Sequence, residues 1–473
     1  MQFNSLIFLL FFFIVYSGYL LSKHSVKGQN LLLLVASYVF YGFWDWRFLS
    51  LLLTSTVIDF FLGKFLAETD DKKKRKLFLA SSLTVNLSIL GFFKYFNFFA
   101  DSFSDVLVGL GMQPDFVTLN VILPIGISFY TFQTLSYTFD IYRGKLKPTK
   151  SFINFALFVS FFPQLVAGPI ERASNLLPQI AKRRTIKWSE VDAGLFLILW
   201  GYFKKVVIAD NVGLIADTVF NDYSQFGGLD LIIGILAFTV QIYCDFSGYS
   251  DIARGLCKLM GFELMVNFRL PYFALNPSDF WNRWHISLST WLKDYLYISL
   301  GGNQSGAWKT YRNLMITMIL GGLWHGAAWN FVIWGMYHGT ILCLYRAFEK
   351  KPVHKAPWSG EHSSVVVISK MILMFTLTLF GWLIFRSQSV EQITYFILNL
   401  GFSLSKDTPL LAYKLLFFSM PLIVIQLYQY IKGDLLVLPN NPIVLRSAIC
   451  ASFLTGIVVF GVRDSLEFIY FQF

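Results

Sequence analysis

The chain has 473 residues, of which 55% are hydrophobic and 18% aromatic, while only 14% are charged. This composition excludes a soluble globular protein and predicts one that lies in a lipid bilayer. The formal net charge of +11 could indicate nucleic-acid binding, but the basic residues form short clusters between apolar runs, which is a membrane-topology signal. We therefore expect the bilayer as a partner and no nucleic acid.

Apolar runs long enough to cross a hydrocarbon core of roughly 30 Å recur along the whole chain. The run 311–345 could form one kinked helix or two short ones, so about eleven to thirteen membrane segments are predicted. Because no polar stretch between the runs could make a soluble domain, residues 1–473 are predicted to form a single all-α polytopic membrane domain. The runs lie near 3–21, 29–44, 48–68, 77–97, 117–140, 152–168, 193–216, 228–248, 311–345, 364–386, 411–431 and 443–462.

Clusters of Lys and Arg predict which loops face the cytoplasm. Segments 100–115 and 216–228 contain neither residue and should lie outside. These assignments agree only if the run 152–168 enters the membrane and returns to the same side, and Pro163, Gly168 and Pro169 are suitable helix breakers for that turn. The basic clusters, predicted to be cytoplasmic, are 70–76, 142–150, 182–187 and 346–355.

The hydropathy pattern fails between residues 245 and 303, which are too polar to cross lipid and too aromatic for a solvated loop. Asn276 and Pro277 suit the start of a helix there. Four residues spaced four, three and four apart would give that helix one apolar face, namely Trp284, Leu288, Trp291 and Tyr295. We expect an amphipathic or re-entrant helix that is buried in protein or lines a cavity.

Two histidines are the first candidates for chemistry, since an ionisable group at membrane depth costs at least a few kcal/mol. His325 lies in "GGLWHGAAW", where Gly321, Gly322 and Gly326 remove bulk and would let a small molecule or another backbone approach. His285 lies on the interrupted segment, where a cavity is expected. The alternatives are a core histidine bonded to a carbonyl for His325 and an interfacial anchor for His285.

His338 follows His325 by thirteen residues. On one straight helix the two side chains would point about 220° apart and lie roughly 20 Å from each other. They could share a reacting atom only if the helix breaks, so His338 is interpreted as a structural core histidine.

Several other charged residues lie in or beside apolar runs and could be structural ion pairs or take part in catalysis, the first being more common. No G-x-S-x-G, P-loop or G-x-G-x-x-G motif is present. Two histidines are also too few for a metal or haem site, so no metal is expected. The charged residues are Asp245, Asp251 and Arg254, Glu171 with Arg172, and Lys204 and Lys205 before Asp210.

The strings "QLVAGPIER", "YCDFSGYSDIARG", "FWNRWHISLSTWLKDYLYISLGG" and "GGLWHGAAWNFVIWGMYHG" occur in this order within a core region of about residues 120–345. Together they resemble the membrane-bound O-acyltransferase family, in its bacterial branch that O-acetylates alginate and related polysaccharides. The resemblance implies a ring of helices around a thinned centre, with a tunnel in which an acyl donor meets an acceptor from the other side. It also implies that His325 is catalytic and that His285 is the second polar site residue.

The chemistry of these residues suits that function. Acyl transfer from a thioester to a hydroxyl needs a base, and a histidine that titrates near neutrality can take the hydroxyl proton. His325 is the expected base, while His285, with Asn282, could orient it or stabilise the oxyanion. Trp324 and Asp245 are further candidates for supporting roles.

The resemblance further implies acetyl-CoA as donor at the cytoplasmic face, without a tightly bound cofactor. The acceptor would be a polysaccharide, reached through a secreted or periplasmic acetyltransferase partner, and the chain would lie in the cytoplasmic (inner) membrane. Peptidoglycan, a lipid-linked glycan or D-alanyl transfer would use the same chemistry. From a different class, a transporter or channel would also have broken helices and buried charges.

Overall fold

The computed structural model describes residues 1, 3–112, 119, 121–166, 168–348, 364–436, 442–462 and 468–469. These residues are mainly α-helical, and the described part of the chain has no β-strand beyond an isolated bridge between Gly228 and Leu400. The chain packs as two compact units. The first consists of residues 1–191 and 256–265, and the second of residues 192–255 and 266–473.

The helices of the first unit include most of the N-terminal apolar runs. They are α1 (Leu6–Leu21), α2 (Val26–Asp45), α3 (Leu49–Glu68), α4 (Lys72–Leu90), α5 (Phe96–Gly109), α6 (Ile127–Tyr142), α7 (Phe152–Ser160), α8 (Phe162–Leu165) and α9 (Ala173–Ala181). A π-helical turn, Gly91–Tyr95, joins α4 to α5, and a 3₁₀ turn, Trp46–Phe48, joins α2 to α3.

The second unit contains most of α10 (Trp188–Tyr202) and of α12 (Leu229–Leu259). A π-helical turn, Phe203–Ala209, joins α10 to α11 without a break. The other helices of this unit are α11 (Asp210–Asn221), α13 (Pro277–Trp281), α14 (Ile286–Trp291), α15 (Ala307–His325), α16 (Trp329–Phe348), α17 (Ser364–Arg386), α18 (Val390–Asn399), α19 (Thr408–Lys432) and α20 (Ile443–Phe460).

Long apolar helices confirm the prediction of an all-α polytopic membrane protein. Among the described residues, six helical stretches are long and apolar enough to cross a bilayer. They are Val26–Glu68, Lys72–Gly109, Leu229–Leu259, Ser364–Arg386, Thr408–Lys432 and Ile443–Phe460. The predicted number of segments, the ring of helices and the single domain stay predictions.

The structure corrects two of the predicted segments and shows a break in a third. The failure of hydropathy begins near residue 260, not 245, because α12 continues to Leu259. The predicted run 117–140 becomes helical only at Ile127, since Pro124 and Gly126, with φ +77°, precede that helix; residues 113–118 and 120 lie outside the described residues. The run 152–168 is broken into α7 and α8 at Phe161, two residues before Pro163, while its return to the same side of the membrane stays a prediction.

Small residues let α10 approach α12 at backbone distance in the second unit. A Cβ atom at Gly201 would lie 2.6 Å from the carbonyl oxygen of Gly248, and one at Gly255 would lie 2.5 Å from that of Gly194. Such contacts are a common means of packing helices in membranes. They place Lys204 and Lys205 against the acidic residues of α12.

The expected ion pairs are present between these helices. Lys205 Nζ lies 2.8 Å from Asp210 and 2.9 Å from Asp245, and all three side chains are buried. Lys204 Nζ lies 2.7 Å from Asp251, which Arg254 also contacts. The helix α12 can contain carboxylates in its polar half because a lysine lies beside each of them.

Candidate active site

His325 is the last residue of α15, and the helix ends there because Gly326 adopts an extended backbone with φ −157° and ψ 153°. The predicted run 311–345 therefore forms two helices, α15 and α16, which pack closely on each other. A Cβ atom at Gly322 would lie 2.1 Å from the carbonyl oxygen of Phe331, and one at Gly326 would lie 2.0 Å from the Phe331 ring. These two glycines thus admit the backbone and side chain of the neighbouring helix.

Aromatic rings surround the His325 imidazole. The ring centroids of Trp324, Trp334 and Phe385 lie 5.2, 5.1 and 5.4 Å from it, all nearly edge-on. The side chain of His325 is buried. His325 thus lies in a mainly apolar, aromatic environment, where electrostatic interactions are stronger than in water.

His285 meets His325 in this pocket, with ring centroids 6.4 Å apart. The two residues are forty positions apart in the chain and approach each other because the segment after α12 folds back against the end of α15. Trp324 contacts both rings, at 5.8 Å from His285. The geometry thus brings together the two residues that the sequence singled out.

The helix predicted around residues 284–295 is interrupted at His285. Asn276 does begin a helix, since its side chain accepts a hydrogen bond from the Asp279 amide, but this helix, α13, ends at Trp281. His285 then adopts a left-handed backbone, with φ 41° and ψ 54°, and precedes α14. The four residues of the predicted apolar face are buried nevertheless, namely Trp284, Leu288, Trp291 and Tyr295.

Asn267 holds the His285 ring. The Asn267 Oδ1 atom lies 3.1 Å from His285 Nδ1 and also accepts hydrogen bonds from the backbone nitrogen and hydroxyl of Ser287. On the other side, the Phe246 ring contacts His285 edge-on at 4.6 Å. His285 is therefore fixed by packing and by hydrogen bonding.

The expected separation of His338 from His325 is wrong, because it assumed one straight helix. The Trp334 ring lies 5.1 Å from the His325 ring and 4.6 Å from the His338 ring, so both imidazoles contact the same indole. Gly381 of α17 leaves room for His338, since a Cβ atom there would lie 2.7 Å from His338 Nε2. His338 is buried among aromatic rings, which suits its interpretation as a core histidine.

A cavity of about 1890 Å³ reaches His325. It follows one face of α15, and its lining there includes Leu314, Met318, Gly321 and His325. Because the lining residues of α15 run from Leu314 to His325, eleven residues apart, the cavity follows this helix for about 16 Å. The described charged residues that line it are four cations and one carboxylate, namely Arg283, Lys293, Arg346, Lys370 and Asp279.

The three residues predicted to support the histidines, Asn282, Trp324 and Asp245, lie in different parts of the structure. Asn282 lines the same cavity as His325, and Trp324 contacts both histidines. Asp245 is engaged by Lys205 and by the backbone nitrogen of Ile469, 2.7 Å away. It belongs to the ion cluster with Lys205 and Asp210, and it is next in the chain to Phe246, whose ring contacts His285.

Sequence reasoning missed Asn267 and Trp334 as site residues. Trp334 had a usable signal, since its spacing of four from His338 puts the two on one helix face. Asn267 had none, because its contact with His285 depends on the left-handed backbone of that histidine, which nothing in the sequence indicates.

The described residues form a helical membrane protein in which two histidines meet and one of them lines a large cavity, an arrangement that suits a membrane enzyme. Residues 143–385 match the model of MBOAT, the membrane-bound O-acyltransferase family. The chain belongs to this family, and it is therefore an O-acyltransferase. This membership sets aside the alternative of a non-enzymatic transporter.

Relatives with described functions include three kinds of acyl-transfer protein. The chain is 44% identical to the probable alginate O-acetylase AlgI of Pseudomonas aeruginosa over 393 residues, which cover 83% of this chain and 73% of that one. It is 37% identical to the peptidoglycan O-acetyltransferase of Helicobacter pylori, over 82% and 78% of the two chains. It is 29% identical to the teichoic acid D-alanyltransferase of Bacillus subtilis, over 58% and 72%.

Proposed function

We propose that this protein transfers acetyl groups from acetyl-CoA across the cytoplasmic membrane for O-acetylation of an extracellular polysaccharide, with His325 as the catalytic base. The observation that carries this proposal is the meeting of His325 and His285, with His325 lining a large cavity that four cations also line. Likeness to an alginate O-acetylase over most of the chain supports a polysaccharide such as alginate as the final acceptor.

In the proposed reaction, the acceptor hydroxyl oxygen attacks the carbonyl carbon of the acetyl thioester while its proton passes to His325. The tetrahedral intermediate then collapses, its C–S bond breaks, and the proton moves from His325 to the departing thiolate. His285 orients His325 or stabilises the charge that develops in the intermediate. The surrounding aromatic rings keep water out, which limits hydrolysis of the thioester.

The donor side of the cavity is proposed to be cytoplasmic. Arg346 and Lys370 are exposed at the end of the cavity remote from His325, and Arg346 begins the basic cluster 346–355, of which residues 349–355 lie outside the described residues. Acetyl-CoA carries its phosphates at one end and its thioester at the other. Cations at the mouth and a histidine deep inside therefore suit both ends of such a donor.

The acceptor is proposed to arrive from the outer side, either directly or through a secreted or periplasmic acetyltransferase that passes the acetyl group to the polymer. Peptidoglycan is the second candidate acceptor, favoured by 37% identity to a peptidoglycan O-acetyltransferase over a comparable length. D-alanyl transfer is less well supported, because that likeness covers only 58% of this chain.

The test compares His325→Ala with His338→Ala in protein purified into lipid nanodiscs. Labelled acetyl-CoA and either oligomannuronate or peptidoglycan fragments serve as probes. His325→Ala should lower acetyl transfer by roughly 10²- to 10⁴-fold, the usual contribution of a general base. His338→Ala removes an equally buried imidazole on the same tryptophan and should reduce stability instead. Wild-type transfer by well-folded His325→Ala protein would refute the proposed base.

The proposed orientation has its own test. Single cysteines at Lys73 and Ser104, introduced by Lys73→Cys and Ser104→Cys in a background without native cysteines, should react with impermeant maleimide from opposite sides of the membrane. Labelling of both from one side would contradict the topology and the cytoplasmic donor, while the His325 result would stand.

A further inference from the structure

Asn267 lies in the segment between α12 and α13, and its side chain is buried. Its Oδ1 atom faces three groups that can donate hydrogens, namely His285 Nδ1 at 3.1 Å, Ser287 Oγ at 2.9 Å and the Ser287 amide at 3.2 Å. A carbonyl oxygen can only accept hydrogen bonds. The contact with His285 is therefore attractive only when Nδ1 carries the hydrogen.

This contact fixes the tautomer of His285. With the hydrogen on Nδ1, neutral imidazole keeps its lone pair on Nε2, which then accepts hydrogen bonds rather than donating them. The Ser287 amide can only donate a hydrogen bond, so the Asn267 side-chain atom that it contacts must be the oxygen and not the nitrogen. The orientation of the Asn267 amide is thereby fixed as well.

The main chain of the same asparagine holds the backbone of His285. The Asn267 carbonyl oxygen accepts a hydrogen bond from the Ile286 amide at 2.9 Å, and Arg269 donates to the carbonyl of Arg283, also at 2.9 Å. Together these bonds join segment 267–269 to segment 283–286 on both sides of His285. They hold this residue in its left-handed conformation, which non-glycine residues rarely adopt.

We infer that Asn267 is a positioning residue for acyl transfer: it holds His285 in the tautomer with hydrogen on Nδ1, so that Nε2 acts as a hydrogen-bond acceptor next to His325. The inference rests on the proposed function, since it assigns His285 a part in the reaction. Of the two roles proposed for His285, the inference favours orienting His325 over stabilising the oxyanion. A lone pair on Nε2 would repel an oxyanion, whereas it can accept a hydrogen bond from a hydroxyl group or from an N–H of His325.

The first experiment measures kcat for acetyl transfer by Asn267→Leu and Asn267→Asp, alone and combined with His285→Ala. Asn267→Leu removes the hydrogen-bond acceptor of His285 and nearly keeps the side-chain volume. It should lower kcat by roughly 10- to 100-fold, the loss seen when a residue that orients a metal-binding histidine is removed from other proteins. In the His285→Ala background the same change should have almost no further effect, because Asn267 acts through His285. Equal losses in both backgrounds would overturn the inference.

The second variant, Asn267→Asp, keeps an oxygen acceptor for all three contacts and so preserves the fold even where Asn267→Leu does not. A carboxylate beside Nδ1 favours the imidazolium form of His285, which donates from both nitrogens and cannot accept at Nε2. The acidic limb of the kcat profile should therefore move to higher pH by about one unit or more. An unchanged pH profile would contradict the positioning role.

Other titratable groups near His285 need a control in that profile. They are His325, whose ring lies near that of His285, and the cluster of Asp245, Lys205 and Asp210, in which Asp245 is next in the chain to Phe246. Asn211→Ala is the matched control, since Asn211 likewise bonds to the main chain, donating from its amide to the carbonyl oxygens of Val207 and Phe460. Its kcat and pH profile should equal those of the unaltered protein.

A second measurement does not depend on catalysis. Nitrogen-15 spectra of histidine-labelled protein in nanodiscs distinguish the protonated from the lone-pair nitrogen of a neutral imidazole, with His285 assigned by its loss in His285→Ala. A hydrogen on Nδ1 of His285 in the unaltered protein, and a mixture of the two tautomers in Asn267→Leu, would support the inference even if the acetyl-transfer proposal failed. Protonated Nε2 in the unaltered protein would overturn it.

Discussion

Two buried sets of ionisable side chains in the second unit differ in how their charges are compensated. Lys205, Asp210 and Asp245 form a cluster in which each charged group lies within 2.9 Å of an opposite charge. His285 and His325 instead lie among aromatic rings, and His325 also lines a large cavity. The charges of the first set face one another, while one imidazole of the second set faces a cavity that could hold a ligand.

This difference separates structural from functional groups at membrane depth. A buried cluster in which one lysine engages two carboxylates acts mainly on folding, since these charged groups are held by one another. An imidazole can be buried neutral at lower cost and can then take up a proton during a reaction. The contrast predicts that substitutions in the first set change stability and substitutions in the second change kcat.

The largest effect is expected for Lys205→Met. Removal of the cation leaves two buried carboxylates without it and should destabilise the protein by about 3–5 kcal/mol. This loss of stability is measured by heating the protein in nanodiscs and recording how much of it stays monodisperse. The triple variant Lys205→Met, Asp210→Leu, Asp245→Leu should recover most of the stability, because apolar groups can replace a buried ion cluster. A triple variant as unstable as Lys205→Met would show that the cluster does more than compensate charge.

The next effect is expected at His285. His285→Ala should lower kcat roughly 100-fold, the lower end for a residue that aids proton transfer, with little change in the KM for the donor. His285→Asn should retain more activity, since an amide oxygen can also accept a hydrogen bond. Equal activity of the two variants would show that hydrogen bonding at this position is unimportant.

A smaller effect is expected where α15 and α16 pack. Gly322→Ala places a methyl group 2.1 Å from the Phe331 carbonyl oxygen, so the helices must separate, at a cost of about 1–3 kcal/mol. His325 and Trp334 lie on these two helices, and kcat should fall together with the melting temperature. Gly109→Ala is the control, because nothing lies within 4 Å of the added atom and that residue is also helical. A normal melting temperature for Gly322→Ala would contradict the close packing.

Most of the helices could be predicted from sequence because lipid imposes a simple condition on composition and length. The predicted segment 364–386 matches α17, and 411–431 lies within α19. The end of α12 was missed for a physical reason. Asp245, Asp251 and Arg254 count as polar in a hydropathy argument, yet in the fold they are compensated by Lys204, Lys205 and one another.

The site was predictable only in part. The glycines next to His325 and the failure of hydropathy around His285 indicated each histidine separately. The break after His325 was left open, so His338 was placed too far away. Asn267 was missed because its role depends on one left-handed residue, and a single backbone conformation leaves no periodic pattern in a sequence.

The smallest effects are expected at the mouth of the cavity, where charges are open to water, in contrast to both buried sets. Arg346→Ala and Lys370→Ala should each raise the KM for acetyl-CoA by roughly threefold, the size typical of exposed charge pairs, with kcat unchanged. The effect should shrink as salt is added, because exposed charges are screened over about 8–10 Å at physiological ionic strength. Lys406→Ala removes an exposed cation from the loop before α19 and should leave the KM unchanged. If that variant raised the KM equally, the donor would be attracted by the overall charge of the protein, and the cations of the cavity would have no special part in binding its phosphates.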